Sequence, residues 1–316
     1  MRMWKICPAG TGLMVMAAAA MIAGCAGTAK PVRFAVAADV QYADKDTAMG
    51  RYYRAGIDGL SRFVEAANLE RPDFAIQVGD IIDGGEHAAA EMDRVLVVYD
   101  RLGCEHYHVV GNHDFNGLAR EAVLSKMKLN SAYYGFAVRG VRFIVLDMLD
   151  LGVQGGWAKD SEAYRVSEAM LRELTTRGEA NALPYNGGLG QAQLAWLDKE
   201  LSAAHQEKQD VVVFGHLPLL PETDTHIAWN AAAIRDVLER YGCVRVYIGG
   251  HNHAGGYACH NGIHYMTLPS MVDDPAAKTW AMMSLYPDRL EIKGSGRIEN
   301  QVLVLYPTGL IIPRRP

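Results

Sequence analysis

His106-Tyr107-His108-Val109-Val110-Gly111-Asn112-His113-Asp114 passes from a β-like run directly into a glycine and three polar side chains that can bind ions or move protons. Working outward from it, the same pattern recurs four times. Val32 to Ala38 ends in Asp39-Val40-Gln41, and Phe74 to Val78 ends in Gly79-Asp80. Val211 to Phe214 ends in Gly215-His216, and Val244 to Ile248 ends in Gly249-Gly250-His251-Asn252-His253. In layered α/β folds the carboxyl ends of strands converge on one crevice. The five tips are therefore expected to gather Asp39, Gln41, Asp80, Asn112, His216, His251 and His253 in one place.

Between these runs the apolar spacing is helical. Tyr53, Ile57, Leu60, Phe63, Val64 and Ala67 predict a helix over Arg51 to Asn68; others are expected at Glu91 to Leu102, Ser161 to Thr176, Gln191 to Ala204 and Trp229 to Tyr241. Tyr133 to Val138 and Val141 to Leu146 flank Arg139-Gly140 as a hairpin. Met148 to Gly190 reads as an insertion over one face, with Gly155-Gly156 and Gly187-Gly188 on either side of its helix. Shorter β-like runs follow at His264 to Leu268, Trp280 to Leu285 and Leu290 to Lys293. The order predicts an α/β fold with helices layered around mixed sheets in one domain.

The gathered donors are oxygen and imidazole only, a set that suits hard to borderline divalent ions such as Mn²⁺ or Fe²⁺. Seven donors exceed what one ion with open positions needs; they fit two ions sharing a bridging carboxylate. Five cysteines form no CxxC pair, so a zinc ribbon or thioredoxin-like site is excluded, and Cys104 and Cys243 read as free thiols beside strands.

The blocks resemble the calcineurin-like metallophosphoesterases, whose pattern is D-x-[HQ], GDxxD, GNH[DE], GH and GHxH. Gln41, in place of the commoner His, and Asp39-Val40-Gln41-Tyr42-Ala43-Asp44 resemble the manganese-dependent ADP-ribose/CDP-alcohol diphosphatases. So do Arg51-Tyr52-Tyr53-Arg54, the run from Ala228 through His253 to Tyr257, and Tyr286-Pro287-Asp288 leading to Arg297. Departures are Asp114 where relatives carry Glu, Ala254 where they often carry Asp, and Lys45 to Gly50 in place of an aromatic-bearing loop.

The resemblance implies an αββα sandwich of two mixed sheets with the metal site at the strand tips. One ion would take Asp39, Gln41, Asp80 and His253; the other would take Asp80, Asn112, His216 and His251. Mn²⁺ is the expected ion, with Fe²⁺ or Zn²⁺ as alternatives. His113 would act on the phosphate or leaving oxygen, with Asp83 and Asp114 orienting the ligands or His113. Asn112, His113 and Tyr42 would meet substrate. The implied activity is cleavage of the diphosphate bond of nucleoside diphosphate conjugates by a metal-bridging hydroxide. Phosphomonoesterase or cyclic-nucleotide phosphodiesterase chemistry is the alternative, and a non-enzymatic scaffold is disfavoured by the intact donor set.

Lys plus Arg number 31 and Asp plus Glu 36, a net charge of −5, with no basic stretch to follow a nucleic-acid backbone. The amino terminus has its own signature. Arg2 and Lys5 precede an uncharged apolar run from Gly12 to Ala23, short for a membrane span but right for a signal peptide. Ile22-Ala23-Gly24-Cys25 resembles a bacterial lipobox. The expected organisation is therefore a signal peptide over 1–24, an acylated Cys25 and tether to 31, a catalytic domain over 32–306 and a tail over 307–316. The expected setting is a monomer lipid-anchored in the bacterial cell envelope, facing the periplasm or exterior, with the outer membrane preferred.

Overall fold

Strand β1 (Val32–Ala37) sends Phe34 and Val36 to one face and Ala35 and Ala37 to the other, and all four are buried. A strand covered on both faces needs a layer on each side. In the computed structural model, which describes residues 30–305, those layers are a second sheet within and helices without.

The first sheet runs β12 (Gln301–Val304), β11 (Arg289–Ser295), β10 (Trp280–Leu285), β1, β2 (Phe74–Val78), β3 (Glu105–Val109). β1, β2 and β3 are parallel; β10 pairs antiparallel with β1, and β11 and β12 follow it as an antiparallel meander. The second runs β4 (Tyr134–Val138), β5 (Val141–Val145), β6 (Val211–Phe214), β7 (Val244–Gly249), β9 (Ile263–Thr267), β8 (Gly256–His260). In it β5, β6, β7 and β9 are parallel, and β4 and β8 close the edges antiparallel.

Phe34, Phe74, Phe143 and Phe214 fill the space between the sheets. Phe34 stacks on Phe74 at 5.1 Å and meets Phe143 and Phe214 edge-on at 6.0 and 5.9 Å. On the outer face of the first sheet lie α1 (Ala55–Glu70) and α2 (Ala88–Tyr99); on that of the second lie α5 (Gln191–Gln206) and α6 (Ala231–Leu238). This is the expected αββα sandwich of two mixed sheets.

Three short elements depart from the sequence reading. α3 (Arg120–Lys126), β8 and β12 carry no clear period, because each is short and half covered. α4 (Glu162–Thr176) forms in the insertion, capped by Ser161, whose Oγ accepts from the Tyr164 N–H at 3.1 Å. It buries only Ser167 and Leu174. Among the described residues no helix is long and apolar enough to cross a membrane. The expected leader, Cys25 and the 307–316 tail lie outside the described residues.

Candidate metal centre

β1, β2 and β3 of the first sheet and β6 and β7 of the second end on the same side of the sandwich. Their tips bring Asp39, Gln41, Asp80, Asn112, His216, His251 and His253 together, as the spacing predicts. Asp39, Gln41, Asp80 and His216 are fully buried. Donor atoms of Asp80, His216 and His251 lie within 4.8 Å of one another. His216 Nε2 is 3.2 Å from Asp80 Oδ2, and His253 Nε2 is 3.6 Å from Asp39 Oδ1.

The backbone bends to achieve this. Asp39, Gln41, Asp80 and His251 have φ of 50°, 40°, 54° and 67°, in the left-handed region that side chains rarely occupy. Each such residue costs on the order of 1–3 kcal/mol and persists only where its surroundings hold it. Here the loops hold one another. The Gln41 N–H donates to Asp80 O at 2.9 Å, and the His251 N–H donates to both carboxylate oxygens of Asp39 at 3.1 and 3.2 Å. Asp114 accepts from the N–H groups of Gly111 (2.8 Å), Ile81 (2.9 Å), Asp80 (3.1 Å) and Ile82 (3.4 Å), tying the second tip to the third. Gly111 allows this approach, since a Cβ there would lie 2.1 Å from Asp80 Oδ1.

Several buried donor-set atoms find no protein partner: Gln41 Oε1, Asn112 Oδ1 and His216 Nε2, the last without hydrogen-bond alignment to Asp80. Buried polar atoms are normally satisfied. Three ligand-type atoms orphaned in one cluster fit a site built for cations. The outer nitrogens are fixed. His216 Nδ1 donates to Val78 O at 2.9 Å and His253 Nδ1 to Asp273 Oδ1 at 3.0 Å, so Nε2 is the nitrogen each ring turns to the site. Packed this closely, the charges set one another. Burial would neutralise Asp80, but the His216 and His113 imidazoles outweigh it and hold its carboxyl far below the usual range. Burial likewise opposes charge on His216, and Asp80 overrides it, pushing the imidazole up to about 9.

His113 turns its Nδ1 toward Asp83. Its Nδ1 is 3.0 Å from Asp83 O and 3.3 Å from Asp83 Oδ1, and Lys45 pairs with the same carboxylate. Burial opposes its charge, but Asp80 and the Asp83 bond raise it to about 9.

Tyr42 corrects the sequence reading. It is buried, joins the core under α1 and α2, and takes a bond from Arg94, so it does not line the cleft. Asp39 and Gln41 face the site, and the residues between and after them, Val40 and Tyr42, face the core. Arg54 is occupied by Asp44 and Asp46, whereas Arg51 lines the cleft. Trp229 packs, its Nε1 donating to Leu183 O at 3.2 Å, and Tyr257 OH meets His264 Nδ1 at 2.8 Å.

Above the cluster opens a cleft of about 1190 Å³, with Gln41, Asp80, Asn112, His113, His251 and His253 on its floor. The insertion supplies much of its wall, including Trp157, Lys159, Tyr164 and Tyr185.

Residues 32–255 match the family model for calcineurin-like phosphoesterases. The chain belongs to this family. It is 30% identical to the manganese-dependent ADP-ribose/CDP-alcohol diphosphatase of Xenopus tropicalis, over 85% of this chain and 93% of the relative. The protein of the same name from Arabidopsis thaliana is 30% identical, over 84% and 95% respectively. A crystal structure of a dimetal phosphatase from Danio rerio superposes with a TM-score of 0.79 at 30% identity, covering 87% of this chain and all of that one. As a calcineurin-like phosphoesterase, the chain is a metal-dependent hydrolase. Within this family's site, sequence reasoning passed over Gln154, Asn186 and Asp273. Asn112 Nδ2 donates to Gln154 Oε1 at 3.2 Å, and His251 Nε2 lies 3.0 Å from Asn186 Oδ1. The only trace of Asn186 in the sequence is its place beside Gly187-Gly188.

Proposed function

We propose that this chain is a two-ion phosphohydrolase that cleaves the P–O–P bond of nucleoside diphosphate conjugates of the ADP-ribose or CDP-alcohol class. The observation that carries the reading is the donor set of two carboxylates, two amides and three imidazoles, all buried but His253, whose amide oxygens on Gln41 and Asn112 have no protein partner. Such a set suits Mn²⁺, with Fe²⁺ and Zn²⁺ as other fits. The names of the relatives support the substrate class.

Asp39, Gln41, Asp80 and His253 would hold one ion, and Asp80, Asn112, His216 and His251 the other, with Asp80 shared. Ions in such a pair lower the pKa of a water and clamp phosphoryl oxygens. This chain's own work is to orient and to donate. His113, with Nδ1 on Asp83, keeps Nε2 for the substrate and offers a proton there to a phosphoryl or leaving oxygen. Arg51 on the cleft wall adds a cation for the second phosphate.

A panel of ADP-ribose, CDP-choline, cyclic AMP and p-nitrophenyl phosphate with Mn²⁺ tests the proposal. The two diphosphates should be turned over best; a preference for the monoester or the cyclic diester would replace the reading with one of those activities.

We further infer that Cys25 is acylated after removal of residues 1–24, that residues 26–31 tether a catalytic domain ending near 306, and that the protein acts as a monomer at the bacterial envelope, on the outer membrane. Ile22-Ala23-Gly24-Cys25 after an uncharged apolar run supports the anchor, Ala26 (not Asp) after it supports the outer membrane, and a donor set complete within one chain supports the monomer. Mass spectrometry of the membrane fraction should find a lipid-modified Cys25; a soluble product starting elsewhere would refute it.

A further inference from the structure

We propose that Asn186 is a positioning residue that fixes the tautomer of His251, so that the 148–190 insertion sets the affinity of one ion site and not of the other. The inference rests on the two-ion reading above.

An imidazole can offer a lone pair from either nitrogen, and the partner of the other nitrogen decides which. His216 and His253 are held through Nδ1, by Val78 O and Asp273 Oδ1. His251 is held the opposite way: its Nε2 lies 3.0 Å from Asn186 Oδ1. An amide could present either oxygen or nitrogen there, but Asn186 has no choice. Its Nδ2 is 2.9 Å from Asn181 O and 2.8 Å from Thr225 O, and both are acceptors only. Turning the amide over would set its oxygen against two carbonyls in a fully buried site. Oδ1 therefore faces His251 as an acceptor, Nε2 must carry the proton, and Nδ1 is the nitrogen left for an ion.

Asn112, which the two-ion reading assigns to the same ion as His251, is also oriented from the insertion. Its Nδ2 donates to Gln154 Oε1, so its unpartnered Oδ1 is the atom left over. No ligand of the other ion leans on the insertion in this way: His253 is braced by Asp273, and Asp39 accepts from the His251 backbone. The insertion thus braces His251 and Asn112 from above, while the scaffold alone braces the first ion's ligands. Gln154 is exposed and Asn186 is buried, so Asn186 carries the larger share.

The experiment combines long-range ¹H–¹⁵N NMR of His251 in the chelator-treated protein with Mn²⁺ titration by calorimetry. Wild-type protein should show His251 protonated on Nε2 alone and bind two Mn²⁺. Asn186→Leu should lose the single tautomer and bind one Mn²⁺ about 10–100-fold more weakly while leaving the other unchanged, the usual size of an outer-sphere effect. Asn186→Asp, protonated in this buried place between two carbonyls, keeps an acceptor opposite Nε2 and replaces the two Nδ2 bonds by one O–H donor; it should keep the tautomer and two tight ions even if it melts earlier. Gln154→Ala should weaken the same site as Asn186→Leu by a smaller factor. A folded Asn186→Leu that keeps the Nε2–H tautomer, or that weakens both ions equally, overturns the proposal. If Asn186→Leu does not fold, Asn186→Asp decides, since loss of the tautomer with the acceptor in place also overturns it. Wild-type protein binding fewer than two Mn²⁺ would refute the two-ion reading instead, and the NMR would still report whether Asn186 sets the tautomer.

Discussion

The strand tips and the insertion line the same cleft by opposite means. The tips hold four of their seven donors, Asp39, Gln41, Asp80 and His251, on left-handed backbone, cross-linked by Asp114 and by bonds between loops. The insertion is tied down near its ends and loose in its middle. At one end, Arg120 donates to Gly155 O at 2.9 Å, pairs with the buried Asp147 and lies 4.1 Å from the Trp157 ring. At the other, Asn186 is sealed in. Between them α4 covers little and is mostly exposed. Chemistry that tolerates little error in geometry sits on the sheets, while the face that meets the rest of the substrate sits on a lightly packed cover.

If this division holds, damage at the tips should abolish turnover and damage to the cover should alter recognition. Asp80→Ala strikes hardest. It removes the shared carboxylate and the acceptor for the His113 N–H at 2.8 Å. Activity should vanish, and elemental analysis should show a loss of more than one ion per chain. Retention of two ions would mean that Asp80 is not shared.

A subtler change at a tip is Gln41→His. An amide oxygen is a poorer donor than imidazole for later transition metals. The variant should bind its ion more tightly and accept Zn²⁺ or Fe²⁺ more readily, with diphosphate cleavage falling relative to cleavage of a bis-aryl phosphate. Identical metal preference and identical substrate ratios would show that Gln41 is not a ligand.

The smallest effect belongs to the cover. Tyr164 lines the cleft from α4 without contact to the donor set. Tyr164→Ala should raise KM for ADP-ribose about fivefold, the worth of roughly 1 kcal/mol of aromatic contact, with Mn²⁺ binding unaltered. A fall in kcat with KM unchanged would place the cover in the chemistry rather than in recognition.

The same division governed what the sequence made legible. The tips were readable because each couples an apolar run to ion-binding donors within a few residues, four of the five through a glycine, a local signal. Helices such as α1 and α5 were readable by period, with α1 beginning later and both ending two residues beyond the apolar spacing. Tyr42 was misplaced because this loop alternates faces, Asp39 and Gln41 toward the site and Val40 and Tyr42 toward the core, so adjacency in sequence to Gln41 did not mean adjacency in the cleft. Asn186 was invisible because its meaning lies in one bond to a ring 65 residues away. Short, half-covered pieces such as α3 and β8 had too few residues to show a period.

The most direct test of the account is a crystal structure of the Mn²⁺-loaded protein with anomalous data at the manganese edge. Two manganese peaks should appear at the strand tips, Asp80 between them, Gln41 Oε1 and Asn112 Oδ1 each turned to an ion, and His251 facing its ion through Nδ1. A single peak, or Gln41 turned away from both, would contradict the two-ion site from which the rest follows.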